Sequence, residues 1–170
     1  MPKRLIAPIE NACLRLRLLT AEDLPLTLHW RNQAHIRRWF FHSDPITSER
    51  HRQWFEQYRE RDDDFVFVIE ELPARRPIGQ VALYHIDWEM RRAEFGRLMI
   101  GERDATGKGW ARLATQLILQ IAFEQLSLHE VYLQVFADNK RACAIYAACG
   151  FRVVAHQDNI MTMLRTNEVG

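Results

Sequence analysis

The spacing of apolar and polar residues predicts seven strands along the chain. Residues 13–19 (CLRLRLL) alternate apolar and basic side chains, as a strand with one buried face does. Residues 65–70 (FVFVIE) form a continuous apolar run of strand length, which is typical of the centre of a sheet. The same reasoning predicts strands at 78–89, 91–101, 130–137, 151–155 and 160–164. Gly96 interrupts the second strand of the 78–101 hairpin, which indicates a bulge or a close backbone approach.

Helices are predicted between these strands. Thr20 is a candidate N-cap for residues 21–31, and Thr47 or Ser48 for residues 47–62, with a short helical piece at 35–41 between them. The clearest helix begins at Trp110, where apolar residues recur at i, i+3, i+4 and i+7. A last helix runs from Asp138 or Asn139 to Gly150, which suits the left-handed C-terminal position.

The resulting order β-α-α-β-β-β-α-β-α-β-β defines the expected fold class. We expect an α/β (α+β) protein, a single domain over residues 1–170. Its core would be one mixed, mostly antiparallel, twisted sheet of about seven strands flanked by helices.

The stretch DATGKGWAR, residues 104–112, directly precedes the clearest helix. Glycines allow a ligand to approach the backbone, and a helix N-terminus attracts anions. The spacing excludes a nucleoside-triphosphate P-loop, because five residues separate Gly101 from Gly107 and Gly109 follows Lys108. A dinucleotide fingerprint is excluded because Arg112 occupies its third glycine position. A pyrophosphate cradle and a plain strand-to-helix turn then remain equally possible.

Composition narrows the functional classes. The net charge of +1 argues against a nucleic-acid partner. No apolar run reaches the roughly 20 residues of a membrane span, and the N-terminus lacks a signal-peptide core, so we expect a cytoplasmic protein without a membrane partner. The three cysteines show no metal-ligand spacing, which favours buried free thiols and no metal site.

Two motifs in the second half resemble the GNAT superfamily of acyl-CoA-dependent N-acetyltransferases. The pattern Gln/Arg-x-x-Gly-x-Gly/Ala looks like residues 106–111 (TGKGWA), with Thr106 replacing the usual Gln or Arg. About thirty residues later, VFADNKRACAIYAACGF resembles the second motif of strand, Asn, helix, Tyr and Gly-Phe. Segments such as HWRNQAHIRRWFF look like the branch of ribosomal-protein N-terminal and nucleotide-amino-sugar acetyltransferases.

The resemblance implies acetyl transfer from acetyl-CoA to a primary amine, by direct attack and without a metal. Backbone N–H groups of Gly107, Lys108, Gly109, Trp110 and Ala111 would hold the CoA pyrophosphate, near Thr106. Arg112 would add charge, and Lys108 or Arg103 could partly replace the missing cation at Thr106. The backbone of Leu98, Met99 and Ile100 would pair with the pantetheine arm, an N–H near Leu98 would polarise the thioester, and Asn139 would touch the arm while capping its helix.

Acid and base roles follow from the same resemblance. Tyr146 occupies the position of the family's general acid, and a phenol with a reference pKa near 10 is protonated at neutral pH. A helix stripe of Ala142, Ile145, Tyr146 and Cys149 would equally explain it as a core residue. Glu94 is the candidate base, with His85 and Asp87 as rivals.

The acceptor pocket would lie between the first helices and the hairpin. We expect Arg31, Asn32, Phe40 and His85 to contact the acceptor, whereas Trp30, Trp39 and Phe41 are packing candidates. An arginine there suits an anionic group and argues against a polyamine. The acceptor would be a protein N-terminal amine or a small amine such as an amino sugar. A non-catalytic acyl-CoA binding protein and a transferase of longer acyl groups are alternatives, and the chain would be a monomer or a homodimer.

Overall fold

The computed structural model describes residues 2–167, which contain one eight-stranded sheet. The strands are β1 (Ile9–Glu10), β2 (Leu14–Leu18), β3 (Phe65–Glu71), β4 (Arg76–Asp87), β5 (Arg92–Ile100), β6 (Glu130–Phe136), β7 (Arg152–Gln157) and β8 (Ile160–Thr166). Their order in the sheet is β1-β2-β3-β4-β5-β6-β8-β7, and all neighbouring strands are antiparallel except β5 and β6, which run parallel. The predicted mixed, mostly antiparallel sheet is therefore confirmed.

Within residues 2–167 five α-helices cover the sheet, and three depart from their predicted bounds: the helices predicted over 21–31, 35–41 and 47–62. The helices are α1 (Leu24–Asn32), α2 (Ala34–Arg37), α3 (Ser48–Tyr58), α4 (Trp110–Gln120) and α5 (Lys140–Ala148), and α4 continues as a π-helical turn, Ile121–Gln125. The prediction of a helix over 35–41 was wrong beyond Arg37, because the aromatics of that segment pack without a helical backbone. A 3-10 turn, Ala21–Asp23, precedes α1, in which Pro25 occupies the first turn.

The sheet has an apolar layer on each face. On β3, Phe65, Phe67 and Ile69 pack in the main core with α4, whereas Val66 and Val68 pack on the other face with α3. This burial on both faces explains the continuous apolar run. Each fully buried side chain of this size stabilises the fold by roughly 1.5–3 kcal/mol.

A gap between β5 and β6 interrupts the sheet. The two strands are paired only from Arg92–Glu94 to Glu130–Tyr132 and diverge beyond that point. Toward β4, the register of β5 shifts between Gly96 and Met99, and Arg97 takes a positive φ of 54°. Of the two alternatives for Gly96, a bulge or a close backbone approach, the structure has the bulge, and a bulge bends the strand that contains it.

The three cysteines are free thiols, but only one is buried. Cys149 packs in the core, whereas Cys13 and Cys143 are half-buried because they border a turn and the open face of α5. Within residues 2–167 no group of His, Cys, Asp and Glu side chains has the makings of a metal site. None of the helices in that range combines the length and apolarity that a bilayer crossing requires.

Candidate active site

The gap between β5 and β6 opens into a cavity of about 670 Å³. This volume falls in the range of small-molecule sites, which is about 300–1,000 Å³. The walls come from both sides of the sheet: the glycine loop, α4 and α5 on one side, and α2 with the segment after it on the other. The gap therefore connects the two faces of the sheet.

The glycine loop forms one end of the cavity. Gly107 and Gly109 have positive φ values of 77° and 80°, and Gly109 is the N-cap of α4 without any side-chain cap. A Cβ atom at either glycine would meet nothing within 4 Å among residues 2–167. The glycines are thus required by their backbone conformation, and the uncapped start of α4 faces open space, as an anion site requires.

The side chains around this loop offer less charge than the sequence suggests. The Lys108 ammonium lies 3.4 Å from a Glu71 carboxylate oxygen that also accepts a 2.7 Å hydrogen bond from the Trp110 indole. The Thr106 hydroxyl donates to the Arg103 carbonyl at 2.7 Å, within its own 3-10 turn. Arg112 lines the cavity and is exposed. An anion at this loop would therefore meet backbone N–H groups and the Arg112 side chain.

The end of β5 supplies a free backbone edge. Leu98, Met99 and Ile100 all line the cavity, on the stretch of β5 that β6 has left. The Gln80 amide holds the bulge in place by donating to the Arg97 carbonyl at 3.2 Å. An extended ligand arm can pair with such an edge as an added strand.

Tyr146 lies deep in the cavity wall on the α5 side. Its ring packs edge-on against Phe95, with centroids 5.4 Å apart, and the residue is 9% exposed. Burial raises the pKa of its hydroxyl far above the ordinary value, so the group stays protonated. The side chain is thus a core residue that also lines the cavity, and its role as general acid stays a prediction.

Asn139 combines its two expected positions. Its side chain caps α5 by accepting a hydrogen bond from the Ala142 N–H at 3.3 Å, and the residue also lines the cavity. Its amide nitrogen is left for a ligand, because the cap uses only the side-chain oxygen.

Glu94 lies next to the cavity but does not line it. One carboxylate oxygen lies 2.9 Å from His85 Nδ1, and the other accepts a 3.2 Å hydrogen bond from the Tyr84 hydroxyl. Tyr84 lines the cavity, and the sequence analysis did not single it out. Asp87 serves instead to stabilise the hairpin turn, accepting a hydrogen bond from the Met90 N–H.

The structure brings only part of the predicted acceptor set to the cavity. Phe40 lines it, as do Trp39 and Phe41, whereas Arg31, Asn32 and His85 do not. Arg31 is buried and donates to the His42 carbonyl, and the Asn32 amide exchanges two 2.8 Å hydrogen bonds with the Ile46 backbone. Both side chains hold the segment after α2 that forms the cavity wall. Trp30 is buried in the core.

Known proteins share this architecture. The sequence model of the family "Acetyltransferase (GNAT) domain" matches residues 14–152 of this chain. The chain belongs to the GNAT acetyltransferase family. A spermidine N(1)-acetyltransferase of Vibrio cholerae is 30% identical to this GNAT chain over 146 residues, covering 86% of the chain and 83% of the relative.

Solved structures agree with the assignment. Spermidine N-acetyltransferase from Vibrio cholerae, crystallised with CoA and spermine, superposes on this GNAT chain with a TM-score of 0.85 at 27% identity, covering 92% of this chain and 96% of that one. A dodecameric structure of the same relative superposes with a TM-score of 0.77 at 25% identity. This GNAT enzyme is an N-acetyltransferase that transfers an acetyl group from acetyl-CoA to an amine.

Proposed function

We propose that the acceptor of this acetyltransferase is the primary amine of a small molecule. The observation that carries the proposal is the gap between β5 and β6, which connects the glycine loop to a recess formed by Trp39, Phe40 and Phe41. An amine in the recess reaches a thioester placed along β5 through the sheet. The glycine loop, the free edge of β5 and Asn139 would hold CoA, and Tyr146 would protonate the leaving thiolate.

Spermidine and spermine are the first acceptors to test, since relatives named for spermidine share this fold and sequence. Aromatic rings of the recess could hold the second ammonium group of a polyamine by cation–π contact.

A second candidate is favoured by the charges of the cavity. Among residues 2–167, its walls include Arg97, Arg112, Arg141 and His35 but no carboxylate. Behind Phe40, Arg31 has one guanidinium nitrogen that is buried without a partner in this range. Such surroundings favour an amine whose molecule also bears a phosphate or carboxylate, because guanidinium groups pair with these anions.

A matched acceptor screen separates the two candidates. CoA thiol release from acetyl-CoA is followed with spermidine, spermine, glucosamine and glucosamine 6-phosphate. The last pair differs only by its phosphate. Preference for the phosphorylated sugar supports the anionic acceptor, and preference for the polyamines supports the first candidate. No thiol release with any small amine contradicts the proposal.

The oligomeric state stays a prediction of monomer or homodimer. All six residues of the edge strand β7 are exposed, including Val153 and Val154, each 51% exposed. Light scattering coupled to size exclusion tests it, and a larger assembly contradicts it.

A further inference from the structure

The strand β4 presents two consecutive side chains to one carboxylate. In a regular strand, consecutive residues point to opposite faces. Tyr84 is the cross-strand partner of Glu94, but the register shifts directly after it and His85 takes a positive φ of 50°. Both side chains therefore reach Glu94, at 3.2 Å and 2.9 Å.

The three side chains form a continuous path from the cavity to solvent. Tyr84 lines the cavity, Glu94 is largely buried with 16% of its side chain exposed, and the His85 side chain is 61% exposed. Glu94 is not among the residues of 2–167 that form the walls, and its hydrogen bond from the Tyr84 hydroxyl links it to the cavity.

Gly96 leaves room for the Tyr84 hydroxyl. A Cβ atom on Gly96 would lie 2.4 Å from this oxygen, so only glycine allows the ring to lie across β5 at this point. Gly96 and Phe95 are consecutive residues that face opposite sides of the sheet, and the Phe95 ring packs against Tyr146. Tyr146 and Tyr84 thus lie near the gap on opposite faces of the sheet. Tyr146 packs against Phe95, and Tyr84 lies against Gly96.

We propose that Tyr84 is a catalytic proton relay, which passes the proton of the attacking amine to Glu94. This inference rests on the proposed transfer to a primary amine. As the C–N bond forms, the nitrogen loses a proton to the Tyr84 oxygen, and Tyr84 gives its own proton to Glu94. Glu94 then releases that proton to solvent beside His85. On the other face, the C–S bond breaks and the thiolate takes a proton from Tyr146, so one proton leaves and one enters for each acetyl group.

The electrostatic surroundings keep the relay in the required states. Burial and the neighbouring negative charge of Glu94 raise the pKa of Tyr84, so its hydroxyl remains protonated. The Arg97 guanidinium lies 4.1 Å from the centre of the Tyr84 ring and pairs with Asp64 at 2.8 Å. The other charged or titratable groups around the relay are Arg92, Tyr132 and Asp63.

The test compares Tyr84→Phe, Glu94→Gln and the double variant across pH, using the best acceptor of the screen. Each single variant should lower kcat/KM by about 100-fold, as expected for a lost proton-transfer group. The double variant should be no slower than the slower single variant, because the two residues act as one unit. The part of the loss of rate at low pH that belongs to the relay should vanish in all three, whereas the part caused by the acceptor's own ammonium should remain.

Tyr132→Phe is the matched control, since Tyr132 lies beside Glu94 on β6 outside the cavity walls and should keep the wild-type profile. CoA affinity and the melting temperature show whether each variant is folded. A Tyr84→Phe enzyme within about threefold of the wild type, with an unchanged pH profile, overturns the relay and leaves the acetyl transfer intact. Additive losses in the double variant also overturn it. A wild type inactive with every amine contradicts the proposed function instead.

Discussion

The Thr106 side chain of the glycine loop already has a hydrogen-bond acceptor. It borders the cavity, yet its hydroxyl donates to the Arg103 carbonyl, and Lys108 is paired with Glu71. A longer cationic side chain at position 106 would leave the 3-10 turn and reach the phosphates. We therefore expect Thr106→Arg to tighten CoA binding by about tenfold, the effect of one charge-assisted hydrogen bond of roughly 1.5 kcal/mol.

Isothermal titration with CoA measures this change. Thr106→Met is the control, because it has similar length without charge and should leave the dissociation constant near the wild-type value. Equal tightening in both variants would show that apolar contact, not charge, is responsible. Unchanged or weaker binding by Thr106→Arg would show that the phosphates lie elsewhere.

At the same scale, the motifs predicted the position of some site residues and missed others. The Asn–Tyr motif predicted that Asn139 and Tyr146 lie at the same site as the glycine motif, and both residues line the cavity. This was possible because local sequence determines a helix cap and the face of a short helix. Tyr84 was missed because its position depends on a bulge in β4 and on the absence of a side chain at Gly96. Such pairings between strands are not visible in one sequence. Arg31 shows the converse, since its charge suggested a ligand while its hydrogen bond stabilises a loop.

At the scale of elements, Gly109 meets two requirements at the start of α4. The residue needs a left-handed backbone, with φ of 80°, and it leaves the first N–H groups of the helix open. Gly109→Ala should cost about 1 kcal/mol of folding stability from backbone strain alone, since its Cβ meets nothing within 4 Å in residues 2–167. We expect a larger loss of CoA affinity, because the new methyl group occupies the space before the helix.

Gly150→Ala is the matched control for this prediction. Gly150 has a φ of 90°, after the end of α5, and does not line the cavity. The nearest atom of residues 2–167 to its Cβ would be Arg165 Nε, at 2.7 Å, which donates a hydrogen bond to the Cys149 carbonyl. Chemical denaturation should show Gly150→Ala at least as destabilised as Gly109→Ala, because Arg165 must also move, and titration should show weakened CoA binding in Gly109→Ala alone. Equal CoA affinity in the two variants would contradict a ligand at this helix start.

Elements with a strong hydrophobic pattern were predicted, whereas a very short strand and a segment placed by tertiary contacts were not. The apolar run of β3 and the stripe of α4 reflect burial that the sequence itself encodes. The two-residue β1 is too short for any period, which is why eight strands replace the expected seven. The segment after Arg37 has helical composition, but its Phe41 ring packs against Phe136 of β6, with centroids 4.8 Å apart. That contact depends on the tertiary structure.

At the scale of the molecule, the sheet separates two layers of helices, and the gap between β5 and β6 connects them. The layer of α4 and α5 carries the glycine loop and Tyr146, while the layer of α1 to α3 faces Tyr84 and Glu94. Divergence of β5 from β6 joins the two sides at the place where an amine would meet the thioester. The proposed acid Tyr146 and the proposed base Glu94 therefore lie on opposite faces of the sheet.

The packing of the α1–α3 layer gives the molecule a pH-dependent stability. His51 on α3 stacks on Trp54, with centroids 5.4 Å apart, and its Nε2 lies 3.2 Å from the Thr27 hydroxyl of α1. Burial lowers the pKa of His51 below its ordinary value of 6.5. As pH falls through 6.5, the unfolded chain binds a proton there before the folded protein does, so the free energy of unfolding falls.

The measurement is the denaturant midpoint between about pH 7.5 and 5.5, a window above the titration of ordinary carboxylates. The midpoint should fall with pH for the wild type and fall less for His51→Gln. Glutamine keeps a hydrogen-bonding side chain at this position but has no titrating ring. Equal drops in the two proteins would assign the effect to other groups.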